Sequence, residues 1–160
     1  MILSFLFFDG KSQTDFPKKN AVVLDLAGIG GYGSLNYQRI FFSKNNFIFS
    51  GKFGFSFFRF RDYERKLNPD LLFPFSLQVN KNWKSHSIIF GVGQTVSSIV
   101  QASENFDKKI RNNGWSGSLI IGYQFQKMNS PFFFQIAFTP LFEHYERFRN
   151  WGGLSIGYFF

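Results

Sequence analysis

The sequence predicts an all-β fold, an eight-stranded antiparallel up-and-down transmembrane β-barrel, from three observations. Apolar and polar residues alternate with period two along most of the chain, short and long connections alternate, and charged residues are almost confined to the connections. The length of 160 residues corresponds to one domain. Its 26 phenylalanines, within an aromatic content of 22%, require a large apolar environment.

The composition narrows the chemistry that the chain can perform. It has no cysteine and two histidines, which excludes disulfides, thiolate metal sites and cysteine nucleophiles, so we expect no metal and no cofactor. A net charge of +8 suits nucleic acid or anionic lipid. Nucleic acid is not expected, because the aromatic residues share strand faces whereas the charges lie in connections.

The first half of the chain supplies five predicted strands. Segments 21–28 and 33–42 alternate weakly, whereas in 47–58 the odd positions are phenylalanine, apart from one glycine, and the even positions are mostly small or polar. Apolar residues recur at odd positions in 73–80, and 87–95 again alternates weakly. Alternate side chains of a strand point to opposite faces, so each segment has an apolar and a polar face.

Three further strands follow, over 115–125, 132–139 and 154–160, with large apolar residues again on one face. The connections 43–46, 81–86 and 126–131 are short, whereas 59–72, 98–113 and 143–150 are longer and highly charged. Tight turns at the periplasmic end and longer loops at the outer end are typical of an up-and-down barrel in a membrane. The outer connection 28–32 is the short exception.

The placement of charge predicts lipid contact. Of 28 charged residues, only Asp25, Arg39 and Lys52 fall within the predicted strands. A cation at the midplane of a barrel's lipid face costs about 2 to 4 kcal/mol, which explains such exclusion. Asp25 and Lys52 have the inward phase and are predicted to pair in the lumen, while Arg39 has the outward phase near the inner rim.

Volume decides which face is outside. An eight-stranded barrel has an interior just wide enough for side chains, so the smaller polar set fits inside and the large apolar set covers the exterior. Such an exterior is stable only in lipid, since soluble monomers rarely expose large apolar patches. The alternative is a soluble ligand-binding barrel of lipocalin type with its phenylalanines inside.

From residue 20 to residue 160 the chain resembles the small eight-stranded outer-membrane β-barrels of Gram-negative bacteria, of the OmpA and OmpX membrane-domain type. Its last residues resemble the carboxy-terminal signal that the barrel-assembly machinery reads, with Leu154, Ile156, Tyr158 and Phe160 at alternate positions. The resemblance implies export, insertion by that machinery and location in the bacterial outer membrane. The Phe, Asn and Lys bias also resembles barrels from the Bacteroidota.

Two segments are predicted. Residues 1–20 are a signal-peptide-like or disordered N-terminal segment, because an apolar stretch over 1–8 precedes a polar one but lacks a basic start. Residues 21–160 form the barrel.

The predicted function is structural or interactive, and we expect no enzyme. The outer loops are predicted to contact lipopolysaccharide or a partner protein, and the barrel could be a small subunit of a larger outer-membrane complex. Arginine matches phosphate with planar, bidentate geometry. The predicted lipid phosphate-binding residues are Arg59, Arg61, Arg65, Arg147 and Arg149. The alternative is that they are solvated and pair with the acidic residues of the same loops.

A second functional hypothesis is a lipid A modifying enzyme, an acyl hydrolase or acyltransferase. Some small outer-membrane barrels of these classes place a histidine and a serine near the outer rim. His144 lies in the last outer loop, and Ser97, Ser98 and Ser103 lie in the neighbouring one. Their spacing singles out no serine, so no catalytic residue is assigned, and His144 is kept as the one candidate.

Overall fold

The computed structural model describes residues 18–57, 69–102, 109–143 and 149–160. The strands are β1 (Asn20–Ala27), β2 (Gly33–Lys44), β3 (Phe47–Phe57), β4 (Leu71–Trp83), β5 (His86–Ala102), β6 (Lys109–Phe125), β7 (Phe132–Phe138), β8 (Leu141–Glu143) and β9 (Gly152–Phe159). Within these ranges, no helix has the length and apolar character needed to cross a membrane.

The strands form one closed antiparallel sheet. Each of the first six pairs with the next along the chain, and β1 pairs with β9 from Ala21 opposite Phe159 to Ala27 opposite Gly153. Closure leaves no unpaired sheet edge, which is the condition for a sheet in hydrocarbon. The predicted up-and-down barrel is confirmed.

The short strand β8 continues β7 rather than adding a stave to the barrel. Ile121 of β6 faces Phe138 of β7, and Ser118 of β6 faces Leu141 of β8, so both segments keep the same register against β6. Only Thr139 and Pro140 lie between β7 and β8, and proline has no N–H to donate to a neighbouring strand. β7 and β8 together are the seventh of eight staves, which is the predicted number.

Four strands extend further than the sequence predicts: β2 runs to Lys44, β4 covers Leu71–Trp83 rather than 73–80, and β5 and β6 extend furthest. The connection 98–113 was expected to be a loop, but β5 runs to Ala102 and β6 begins at Lys109. The apolar alternation stops before the hydrogen bonding does, because polar residues stand at consecutive positions there, such as Ser97 and Ser98 on β5 and Asn112 and Asn113 on β6. Strand ends that extend beyond the lipid do not need an apolar face, because no hydrocarbon contacts them. Period two therefore disappears there.

Longer strands also change the charge count. Besides Asp25, Arg39 and Lys52, five charged residues now lie within strands: Lys44, Lys81, Lys109, Arg111 and Glu143. All five lie within three residues of a strand end. The prediction of three charged strand residues is therefore wrong in number, while the central parts of the strands keep the exclusion that it described.

A β-bulge at Phe41 adjusts the register between β2 and β3. Ile40 faces Ser50, whereas Phe42 faces Phe49, so one extra residue is accommodated on β2. The hairpin then closes at Asn45 and Asn46, both with positive φ (49° and 67°), as a tight two-residue hairpin requires.

The phenylalanine-rich face points outward. Phe53 and Leu77 each have 61% of their surface exposed, whereas Ser50 and Ser76 are buried. The outward apolar set, called the belt below, includes residues of every stave: Leu24, Leu35, Phe49, Phe53, Phe75, Leu77, Phe90, Val92, Leu119, Ile121, Phe134, Ile136, Leu154 and Ile156. The lipocalin-type alternative, with phenylalanines inside, is wrong.

Candidate functional site in the lumen and at the rims

The centre of the lumen holds an ion pair between the first and third strands. Lys52 Nζ lies 2.8 Å from Asp25 Oδ2, and the two side chains are 6% and 5% exposed. Asp25 faces Ser34 of β2 and Lys52 faces Gln38 of β2, so the pair spans the strand between them. Because both side chains are buried, the attraction between the two charges must offset the free-energy cost of removing each charge from water.

Amide side chains extend this polar layer around the barrel. Asn80 Nδ2 donates to Gln124 Oε1 at 2.9 Å, and Gln135 Nε2 donates to the same oxygen at 2.9 Å. Gln38 Nε2 donates to Ser50 Oγ at 3.2 Å. Two of these bonds join neighbouring strands, and the Asn80–Gln124 bond joins β4 to β6 past the strand between them, so polar side chains pack against one another inside the barrel.

A small cavity adjoins the ion pair. It measures about 20 Å³ and is lined by Asp25, Lys52, Gln78 and Thr139, among others. Asp25 Oδ1, Gln78 Oε1 and Thr139 Oγ1 are buried and accept no hydrogen bond from the described protein groups. A cavity of this size holds one or two waters, which would satisfy such oxygens. The lumen can therefore hydrate the ion pair.

Apolar side chains close the lumen at the end that carries the short turns. The rings of Phe133 and Phe159 lie with centroids 4.9 Å apart, and Phe133 is fully buried. They belong to a buried cluster with Ala21, Val23, Ile40 and Ile48. We call these six residues the plug.

The outer end is narrowed by the connection between β1 and β2, which folds inward. Ile29 is 6% exposed, and its carbonyl oxygen accepts a hydrogen bond of 2.6 Å from Thr95 Oγ1 on β5. Gly28 and Gly31 supply the positive φ values (89° and 81°) that this turn requires. Ile29 packs with Ile89 and Ile120. The sequence predicted a short turn here but not its direction.

The outer rim contains one of the predicted phosphate-binding arginines within the described residues. Arg149 is exposed, and its backbone forms a two-way bridge with Leu141 at 3.0 and 3.1 Å. Arg59, Arg61, Arg65 and Arg147 lie outside the described residues, as does His144. Phosphate binding by these five arginines stays a prediction.

Arg111 ties the outer ends of three strands together, a role that the sequence reasoning missed. Its Nη2 donates to the carbonyl oxygen of Pro69 at 3.3 Å, and its Nη1 donates to Ser98 Oγ at 3.3 Å. Ser98 Oγ itself donates to Asn113 Oδ1 at 2.8 Å. The Ser98 hydroxyl, one of the three serines considered beside His144, thus belongs to a hydrogen-bonded group at the rim.

Asp70 anchors the same rim from below. This aspartate is 2% exposed, and its Oδ1 accepts a hydrogen bond of 2.8 Å from the Val100 backbone N–H. A charged acceptor makes a stronger hydrogen bond than a neutral one. The segment before β4 is therefore fastened to the extended part of β5.

The predicted assembly residues all lie on the outward face of the last strand or directly after it. Leu154, Ile156, Tyr158 and Phe160 are between 41% and 53% exposed. Tyr158 stacks edge-on against Phe132, with centroids 5.0 Å apart. The alternate positions quoted for the signal thus form one continuous outward stripe.

The end with the short turns carries an unexpected concentration of positive charge. Seven exposed cations surround it: Lys18, Lys19, Arg39, Lys44, Lys81, Lys84 and Lys127. No aspartate or glutamate lies at this end within the residues that the structure describes. We call these seven residues the basic rim.

Comparison with known proteins gives the fold. No family model matches the sequence, and no match is found among curated proteins. The N-terminal β-barrel domain of OprF from Pseudomonas aeruginosa is similar in structure, with a TM-score of 0.58, 11% identity, and coverage of 89% of this chain and 96% of that one. The outer membrane protein Ail of Yersinia pestis, determined in a phospholipid bilayer nanodisc, has a TM-score of 0.55, 13% identity, and coverage of 89% and 99%. The chain is a small β-barrel of the outer-membrane type.

Proposed function

We propose that this barrel is an integral protein of the bacterial outer membrane with a structural or interaction role. The observation that carries the proposal is the belt, which covers all eight staves, while most of the buried inward residues are polar. Burial of apolar surface contributes about 25 cal/mol per Å², so leaving the belt in water would be strongly unfavourable. A bilayer removes that cost.

The interaction role is assigned to the outer end. The outer connections and the strand ends beside them, within 59–72, 98–113 and 143–150, contain 16 of the 28 charged residues, and lipopolysaccharide is the neighbouring polyanion in an outer leaflet. Arg59, Arg61, Arg65, Arg147 and Arg149 would bind its phosphates, because guanidinium groups form paired hydrogen bonds with phosphate oxygens. A partner protein, including a larger outer-membrane complex, would use the same loops.

The membrane assignment is tested by electrophoresis of the membrane-extracted protein in SDS, with and without boiling. A closed outer-membrane barrel resists cold SDS, so we expect two mobilities and recovery from the outer-membrane fraction. One mobility together with recovery in the aqueous fraction, without detergent, would contradict the proposal.

The lipopolysaccharide assignment needs a separate comparison. The five arginines are changed to alanine together, and lipopolysaccharide that co-purifies with the folded barrel is measured. The control removes five cations from the basic rim, through alanine at Lys18, Lys19, Lys44, Lys84 and Lys127. We expect loss of lipopolysaccharide only in the arginine variant, and equal retention in both would refute this role.

A further inference from the structure

The two ends of the barrel differ in charge balance. The outer connections and adjoining strand ends, within 59–72, 104–111 and 143–149, contain nine cations and seven acids. The basic rim contains seven cations and, among the described residues, no acid. Adding the charged residues of 1–17, which are Asp9, Lys11 and Asp15, to this count gives eight cations and two acids. Positive charge is therefore less compensated at the short-turn end than at the outer end.

The cations of the basic rim begin where the aromatic surface ends. Lys81 Nζ lies 5.4 Å from the ring centroid of Phe47 and 5.3 Å from that of Trp83, and both rings are outward and exposed. Lys18 Nζ lies 5.7 Å from the ring of Tyr158. The ammonium groups of Lys18 and Lys81 therefore lie over outward aromatic rings at the edge of the apolar surface, where a cation can contact a ring and a lipid headgroup together.

The basic rim also extends around the barrel. Lys18 and Lys19 precede β1, Arg39 and Lys44 lie on β2, Lys81 lies on β4, and Lys84 and Lys127 lie in the turns after β4 and β6. A single docked protein covers one side of a cylinder, whereas lipid surrounds it. The distribution therefore favours many small anionic ligands over one large partner.

We propose that the basic rim binds the headgroups of anionic phospholipids in the leaflet that contacts the short-turn end. The inference rests on the proposed insertion into a membrane. Lysine is a compact point charge on a flexible stem, suited to exchanging lipids rather than to one fixed phosphate geometry. Each basic residue near an anionic membrane surface adds attraction that weakens as salt screens it.

The test uses the whole protein in phosphatidylcholine vesicles that contain a minor fraction of spin-labelled phosphatidylglycerol or spin-labelled phosphatidylcholine. Electron spin resonance measures the motionally restricted fraction of each label, and hence their relative association with the barrel. We expect phosphatidylglycerol to be preferred, on the order of fivefold at each occupied lysine at low salt. The preference should fall as salt is raised.

Matched variants locate the preference. Replacing Lys18, Lys44, Lys81 and Lys84 by glutamine leaves three of the seven rim cations and should reduce the preference for phosphatidylglycerol by more than half, whereas replacing the same four by arginine should keep it. Replacing Lys108 and Lys109 by glutamine removes two positive charges from the outer end and should leave the preference in place. A glutamine variant that keeps the full preference would overturn the proposal.

Separate readouts distinguish the possible failures. Heat-dependent mobility in SDS after reconstitution reports insertion, so a protein that does not insert refutes the membrane assignment rather than this one. An inserted barrel that associates equally with both lipids overturns the proposal. Equal association combined with lysine-dependent binding of polyglutamate also overturns it and assigns the rim to an acidic protein.

Discussion

The ring of Phe133 on β7 occupies the space that a side chain at Gly157 on β9 would need. The two residues face each other in the strand pairing, and a β-carbon built on Gly157 overlaps the Phe133 ring. Phe133 is fully buried, so its ring cannot move outward without leaving the plug. A glycine opposite an aromatic residue is a recurrent device in curved sheets.

The first prediction follows from this contact. Gly157→Ala should lower the free energy of unfolding by about 1 to 3 kcal/mol, because it overpacks the plug. Gly117→Ala is the matched control, since a β-carbon there meets no atom within 4 Å, and it should change stability by less than about 0.5 kcal/mol. Urea unfolding in lipid vesicles measures both. Equal effects would contradict the overlap.

The second prediction concerns the buried ion pair. Lys52→Met leaves the Asp25 carboxylate without its partner. It should lower the free energy of unfolding, measured by urea titration in lipid vesicles, by about 3 to 5 kcal/mol. Adding Asp25→Leu should recover most of that loss, because no buried charge then remains uncompensated. Lys44→Met, at an exposed strand end, is the control and should be nearly neutral. A double variant no more stable than Lys52→Met would rule out coupling between the two charges.

The third prediction tests the belt by depth. Leu77 lies at the middle of β4, and Phe47 begins β3 at the basic rim. Relative to alanine at the same position, arginine should cost about 2 to 4 kcal/mol at Leu77 and about 0 to 1 kcal/mol at Phe47. Refolding titrations in vesicles measure the difference. Equal costs would mean that the belt does not face hydrocarbon.

The fourth prediction is electrical. The plug, the hydrogen-bonded amide side chains of the lumen and the inward turn at Ile29 fill the lumen. The protein in a planar lipid bilayer should therefore show no steady open-pore conductance. A large porin measured in the same bilayer serves as the positive control. Stable conductance steps from the purified barrel would show that the packed lumen opens.

The strand pattern was predictable because the belt enforces it. In β3, phenylalanine at 47, 49, 53, 55 and 57 alternates with smaller residues, and that phase alone assigns inside and outside. The outer parts of β5 and β6 could not be predicted, since backbone hydrogen bonds hold polar residues in a strand without any apolar period. The break at Pro140 likewise follows from backbone chemistry rather than from the pattern.

The candidate site was predictable only in part. The inward phase of Asp25 and Lys52 suggested a pair, and their atoms lie 2.8 Å apart. The basic rim needed the topology, because residues as distant as Lys18 and Lys127 become neighbours of one ring only when the barrel closes. The inward direction of Ile29 depends on glycine φ angles and on Thr95, and neither has a periodic signature.

The inward turn at Ile29 also limits what the surface can display. Gly28, Ile29 and Gly30 are buried, so antibodies and phages would find only Tyr32 prominent in this connection. A peptide tag inserted between Gly28 and Gly31 would push Ile29 away from Ile89 and Ile120 and weaken the barrel. Reporter epitopes should therefore be tolerated at the other outer connections and not at this one.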